Sequence, residues 1–200
     1  GRPDDEIKVR AYGLPVKSAN ALLPFFNTEV NVLSEEPNKY EMTFPDISDK
    51  SEFTCYQVVD PAGARNYTCI WAGVNEHGEV YIRKEWPDRD TYGEWAMFGA
   101  PKWKYGPAAK KIGLNVEGYC ELFKEIEDDL QIEVTERIGD SRFFARENEN
   151  NDDLFTSFYD YGLSFIPSDG KMEEQGITAL DDWFNYNPNV GVDEANRPLC

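Results

Sequence analysis

Two aspartates come directly after apolar, strand-like runs. In CYQVVDPAG, Asp60 follows the run 56–59 and precedes a Pro-Ala-Gly turn. In VTERIGDSRFF, Asp140 holds the same place after an alternating run and Gly139. If the two runs are parallel neighbours, both carboxylates reach one edge of a sheet, because adjacent strands lie about 4.8 Å apart. Carboxylates held that way can share divalent cations roughly 3.5–4 Å apart, an arrangement that activates water and stabilises a phosphoryl transition state. Mg²⁺ suits so sparse a donor set because it keeps several of its waters. The plainer alternative is that Asp60 is a turn residue and Asp140 a cap for the next helix. Spacing alone leaves both open.

Other chemistry-bearing residues are fewer. His77 is the single histidine and sits in NEHG, which reads as an exposed hairpin turn. One histidine leaves little room for Ser-His-Asp or Cys-His catalysis and none for a multi-histidine zinc site. Arg142, close after Asp140, is placed to reach a phosphate or to pair with an acid. Lys102, Lys104, Lys110 and Lys111, interleaved with Trp103 and Tyr105, form the most basic stretch and read as a solvated loop or a contact to a DNA backbone. Glu85 ends a strand-like run and reads as surface. Asp181 and Asp182, in LDDWF, read as the surface of a helix, with a role as further metal ligands the weaker alternative.

The elements that must position the two acids follow from periodicity. Residues 56–60, 68–74 and 80–86 predict three strands, with Asn75 and Gly78 supplying the second turn. The insertion 88–113 is irregular and rich in Gly, Pro and aromatics, a kind of loop that is often functional or partner-facing. Residues 115–129 carry Val116, Tyr119, Cys120, Phe123 and Ile126 at helical spacing, with Asn115 as N-cap. A strand is expected over 132–138, a short helix over 154–161 stopped by Gly162, a strand over 163–167, and a helix over 172–184 with Ile177, Leu180 and Phe184 inward. Residues 1–50 read as an irregular lead-in with one short strand near 30–33, ahead of a domain over 51–200. The expected fold is α/β: an antiparallel three-strand meander plus parallel strands reached through helical crossovers, flanked by helices, the layout of a ribonuclease H-like sheet.

Composition narrows the class. A chain of 200 residues with 40% apolar content, 5 Trp, 11 Tyr and 12 Phe can bury a real core. No apolar run approaches the roughly 18 residues of a membrane span, and no signal peptide is legible. The four cysteines form no CxxC pair, and those at 55, 69 and 120 lie in apolar runs. They read as buried, reduced thiols, which points to a reducing cytoplasm. A net charge of −18 argues against a broad phosphate-binding surface. It leaves room for a site where cations bridge protein acids to phosphate.

The ordered segments AYGLPVKSANALLPFFN, VVDPAGARNYTCIWAGVNEHGEVYIRKEWP, YGPAAKKIGLNVEGYCELFKEIE, RIGDSRFF and YDYGLSFIPSDGKMEEQGITALDDWFNYNP resemble the large terminase subunits, the DNA-packaging motor proteins of tailed bacteriophages and prophages. The resemblance runs from about residue 10 to residue 188. It implies a ribonuclease H-like nuclease domain preceded by a linker from a P-loop ATPase domain, which this chain lacks. PSDGKMEE has no G-x-x-x-x-G-K-[ST] spacing, so it is no phosphate-cradling loop. The resemblance maps the first two metal-binding acids onto Asp60 and Asp140, and places the third beyond the present sequence. It implies Mg²⁺ or Mn²⁺ as cofactor and cleavage of concatemeric double-stranded DNA in the host cytoplasm. The ATPase domain, the small terminase subunit and the portal protein are the implied partners. Two other readings stay open: an inactive module that docks to portal or motor partners, and a different ribonuclease H-like nuclease of resolvase or recombinase type.

Overall fold

In a computed structural model, the described residues are 26–38, 40–61, 67–87, 114–141, 153–168, 173–187, 189 and 198. Two compact units divide the chain. One comprises Gly1–Thr43 with Glu173–Cys200, and the other comprises Phe44–Met172. The second carries the sheet: β1 (Phe53–Asp60), β2 (Thr68–Asn75), β3 (Val80–Trp86), β4 (Val134–Gly139) and β5 (Ile166–Pro167), with helices α2 (Val116–Leu130) and α3 (Leu154–Asp160) between the later strands. The first carries α1 (Thr28–Asn31) and α4 (Glu173–Trp183).

The sheet has five strands in the order β3-β2-β1-β4-β5. β1 pairs antiparallel with β2, and β2 with β3. β4 runs parallel to β1, and β5 parallel to β4. This is the expected mixed sheet of a meander followed by crossover strands. The hairpin between β2 and β3 uses the anticipated residues: Gly78 takes φ +78°, and the Asn75 side chain accepts from the His77 and Glu79 amides. Asn115 caps α2 by accepting from the Gly118 N–H at 2.9 Å. Asp153 caps α3, and Gly162 closes it at φ +83°.

One face of the sheet packs on α2 and α3. Val59, Cys69, Trp71 and Trp86 meet Tyr119, Cys120 and Phe123 of α2, Phe158 of α3, and Leu163 and Phe165 of the following segment. Burying each such large side chain is worth about 1.5–3 kcal/mol. Stacked rings of Tyr67 and Tyr119, 4.1 Å apart, and of Phe123 and Phe158, 6.2 Å apart, fix how α2 and α3 seat. At the other end of β1, Phe53 and Cys55 pack on Ile47. A Cβ at Gly73 would lie 2.9 Å from Ile47 side-chain atoms, so only glycine admits that approach.

Three expectations change. The strand near 30–33 is instead the short helix α1, because the Asn27 side chain caps it by accepting from the Glu29 amide and Val30 is buried. The strand over 163–167 shrinks to Ile166–Pro167, since only two residue pairs align with β4 while Leu163 and Phe165 turn into the core. β4 does not alternate evenly: Cys55 pairs with Val134, but Tyr56 pairs with Glu136, leaving Thr135 as a bulge. The insertion 88–113 lies outside the described residues, as does Cys200.

The thiols of Cys55, Cys69 and Cys120 are buried and free, as anticipated. Burial pushes Cys55 up, pushes Cys120 to about 11, and lifts Cys69 well above the thiol range, with the negative charge of Asp60 adding to the last. Thiolate is the nucleophile, so these three should resist iodoacetamide at neutral pH until urea unfolds the chain, as read by peptide mass mapping. A raised folded value stabilises the fold fully below the unfolded pKa and loses that contribution above it. Urea midpoints should therefore fall as pH climbs from the ordinary thiol value of 9.0 towards 11, where Cys120 itself ionises. Among the described residues, no helix is long and apolar enough to cross a membrane.

Candidate active site

Asp60 is the last residue of β1, opposite Thr68 of β2. On β1, Phe53, Cys55, Gln57 and Val59 are buried, while Thr54, Val58 and Asp60 are exposed. Strand alternation therefore puts Asp60 on the face away from α2. The last parallel pair between β1 and β4 is Val59 with Gly139. Asp140 is the next residue along, so the two acids are successive to one register pair on neighbouring strands. Partners in register share a face, and the strand spacing is about 4.8 Å. Asp140 is half-buried.

The row continues on both sides. β4 pairs Gly139 with Pro167, and the next residue, Ser168, donates its backbone N–H to the Gly139 carbonyl at 2.8 Å. Ser168 Oγ also accepts from the Ser141 N–H at 3.4 Å, so Ser168 touches the backbone on both sides of Asp140. Across the sheet edge the order is thus Thr68, Asp60, Asp140, Ser168: two carboxylates between two hydroxyls. Beneath the row, the Tyr67 N–H donates to Tyr119 Oη at 3.1 Å and ties the start of β2 to α2. The hydroxyls were not singled out from sequence. The signal for Ser168 lay in its place directly after the last parallel strand, as Asp140 follows β4.

His77 is exposed, as anticipated, and 3.7 Å from Glu76. It lies at the opposite end of β2 from Thr68, so it cannot serve the acid row as a base. Glu85 is exposed on β3, paired with Ile70, and two strands removed from β1. On α4, Asp182 is exposed and Asp181 is half-buried, both within the unit that does not contain the sheet. Arg142, Lys102, Lys104, Lys110, Lys111, Trp103 and Tyr105 lie outside the described residues, as do Gly170 and Lys171. Among the described residues, no group of three or more His, Cys, Asp or Glu side chains converges as a metal cage. Compared with protein-family models, curated proteins and solved structures, the chain finds no match.

A donor set of two carboxylates with flanking hydroxyls is hard, oxygen-only and incomplete. It fits Mg²⁺ or Mn²⁺, which take one or two carboxylates and fill the remaining positions with water or substrate phosphate. It does not fit a closed structural zinc site.

Proposed function

We propose that this chain is the nuclease region of a large terminase subunit, with a ribonuclease H-like fold, and that it hydrolyses phosphodiesters of double-stranded DNA with Mg²⁺ or Mn²⁺. The observation that carries the reading is the parallel pairing of Val59 with Gly139, which makes Asp60 and Asp140 neighbours. The strand order β3-β2-β1-β4-β5, with three antiparallel strands and two parallel ones, supports the fold assignment. The resemblance of the five sequence segments supports the family.

In this reading, Asp60 and Asp140 hold the cation through carboxylate oxygens. A divalent cation so held supplies Lewis-acid charge to a phosphoryl oxygen and lowers the pKa of coordinated water. The chain's own contribution is positional. Asp60 lies on an exposed face that a duplex backbone can approach. Ser168 holds the backbone around Asp140, and Thr68 closes the row beside Asp60. The net charge of −18 disfavours a phosphate surface on this region alone, so DNA is held weakly and released by modest salt. Affinity for packaging substrate then comes from the ATPase domain, the small subunit and the portal.

The test is nicking of supercoiled plasmid by the chain in Mn²⁺, together with crystals soaked in Mn²⁺. Anomalous density between Asp60 and Asp140 is expected. Density elsewhere, or nicking without added metal, would overturn the reading. A requirement for branched junctions would move the assignment to a resolvase-type nuclease.

A further inference from the structure

The row three residues before the acids is buried, charged and cross-linked. Trp71, Gln57 and Arg137 are register partners on β2, β1 and β4. Arg137 reaches Gln57 Oε1 at 2.5 Å and grips Glu127 of α2 with both guanidinium nitrogens, at 2.5 and 2.6 Å. Trp71 Nε1 donates to the same Glu127 carboxylate at 3.1 Å. The side chains of Arg137 and Glu127 are only 11% and 10% exposed.

This cluster bears on register. Before the bulge, Cys55 pairs with Val134, and after it Tyr56 pairs with Glu136. A straight ladder from Cys55 and Val134 would set Gln57 against Glu136, Val58 against Arg137, and Asp60 against Gly139. Arg137 would then face away from α2, and Glu136 would face the buried Glu127, leaving two desolvated carboxylates together. That arrangement is costly, whereas the bulged one pairs every charge. A slip of one residue also moves side chains to the other face, so Asp140 would leave the face of Asp60.

We infer that the buried Glu127–Arg137 pair selects the bulged register of β4 on β1, and so sets Asp140 beside Asp60. These are positioning residues, and their importance for chemistry rests on the metal-site reading above. The decisive variant transposes two neighbours, Glu136→Arg with Arg137→Glu. It offers Glu127 its partner only through the straight ladder.

The full 200-residue chain, methyl-labelled for NMR, reports register through cross-strand contacts, and Mn²⁺ titration reports the site. Wild type should show Val58–Ile138 contacts. The transposed chain should fold, exchange them for Val59–Ile138 contacts, and bind Mn²⁺ about 10- to 100-fold more weakly, as when support behind metal ligands is removed. A transposed chain that keeps Val58–Ile138 contacts overturns the inference. Should it not fold, the exchange Glu127→Arg with Arg137→Glu decides: it must retain wild-type contacts, and loss of them overturns the inference. Failure of wild type to bind Mn²⁺ would overturn the metal site instead, while the NMR contacts still judge the register.

Discussion

Asp60→Asn is expected to lower Mn²⁺-dependent plasmid nicking by about a thousandfold or more, and Asp140→Asn likewise. Metal catalysis supplies several kcal/mol of charge stabilisation, and each 1.4 kcal/mol or so is tenfold in rate. Asn keeps the size and a carbonyl oxygen, yet removes the negative charge that would draw the proposed cation. The fold should not suffer. Asp60 is exposed at a strand end, and Asn is nearly isosteric with Asp, so the core is left untouched. Urea midpoints of both variants should stay close to wild type, measured beside the nicking assay. Loss of activity together with loss of stability would point to turn and cap duties for these acids. Unchanged nicking by either variant would remove it from the site.

The second large effect is on stability. Glu127→Ala is expected to cost about 3–5 kcal/mol in urea unfolding, because it strands a buried guanidinium. The same change unpairs Trp71 Nε1, which donates to Glu127. Arg137→Met should cost a comparable amount by leaving Glu127 desolvated. The double change Glu127→Leu with Arg137→Met should recover part of the loss, since neither partner is then left as an unpaired buried charge, although Trp71 Nε1 and Gln57 Oε1 still lose their hydrogen bonds. A double-mutant cycle on urea midpoints reads this directly. Additive losses would show that the pair is solvated and carries little energy.

Much of the sheet was legible because its signals are local. Asn75 and Gly78 have turn chemistry that tolerates few alternatives, and the runs around them are long enough to pair. Asn115 and Gly162 mark helix ends for the same reason. The acids were visible as carboxylates at the ends of apolar runs, and parallel pairing then made them neighbours. What escaped is non-local. Thr135 as a bulge follows from where Arg137 finds its partner, which no count along β4 can show. Glu127 lies four residues after Phe123, on the apolar stripe of α2. An acid in that stripe was the available sign of a buried pair, but its partner sits on another strand. α1 escaped because VNVL looks like a strand, while the Asn27 side chain caps a helical turn there.

The meander has one further practical meaning. β2 runs from Thr68 beside the acids to Asn75 at the far rim, eight residues, and at about 3.3 Å per residue that is roughly 25 Å. The Glu76–His77 tip is therefore a natural handle. A spin label or fluorophore attached there sits at the far rim from the two acids, yet near enough for a paramagnetic ion added at them to be ranged from it. The far tip of the hairpin thus becomes the molecule's own ruler.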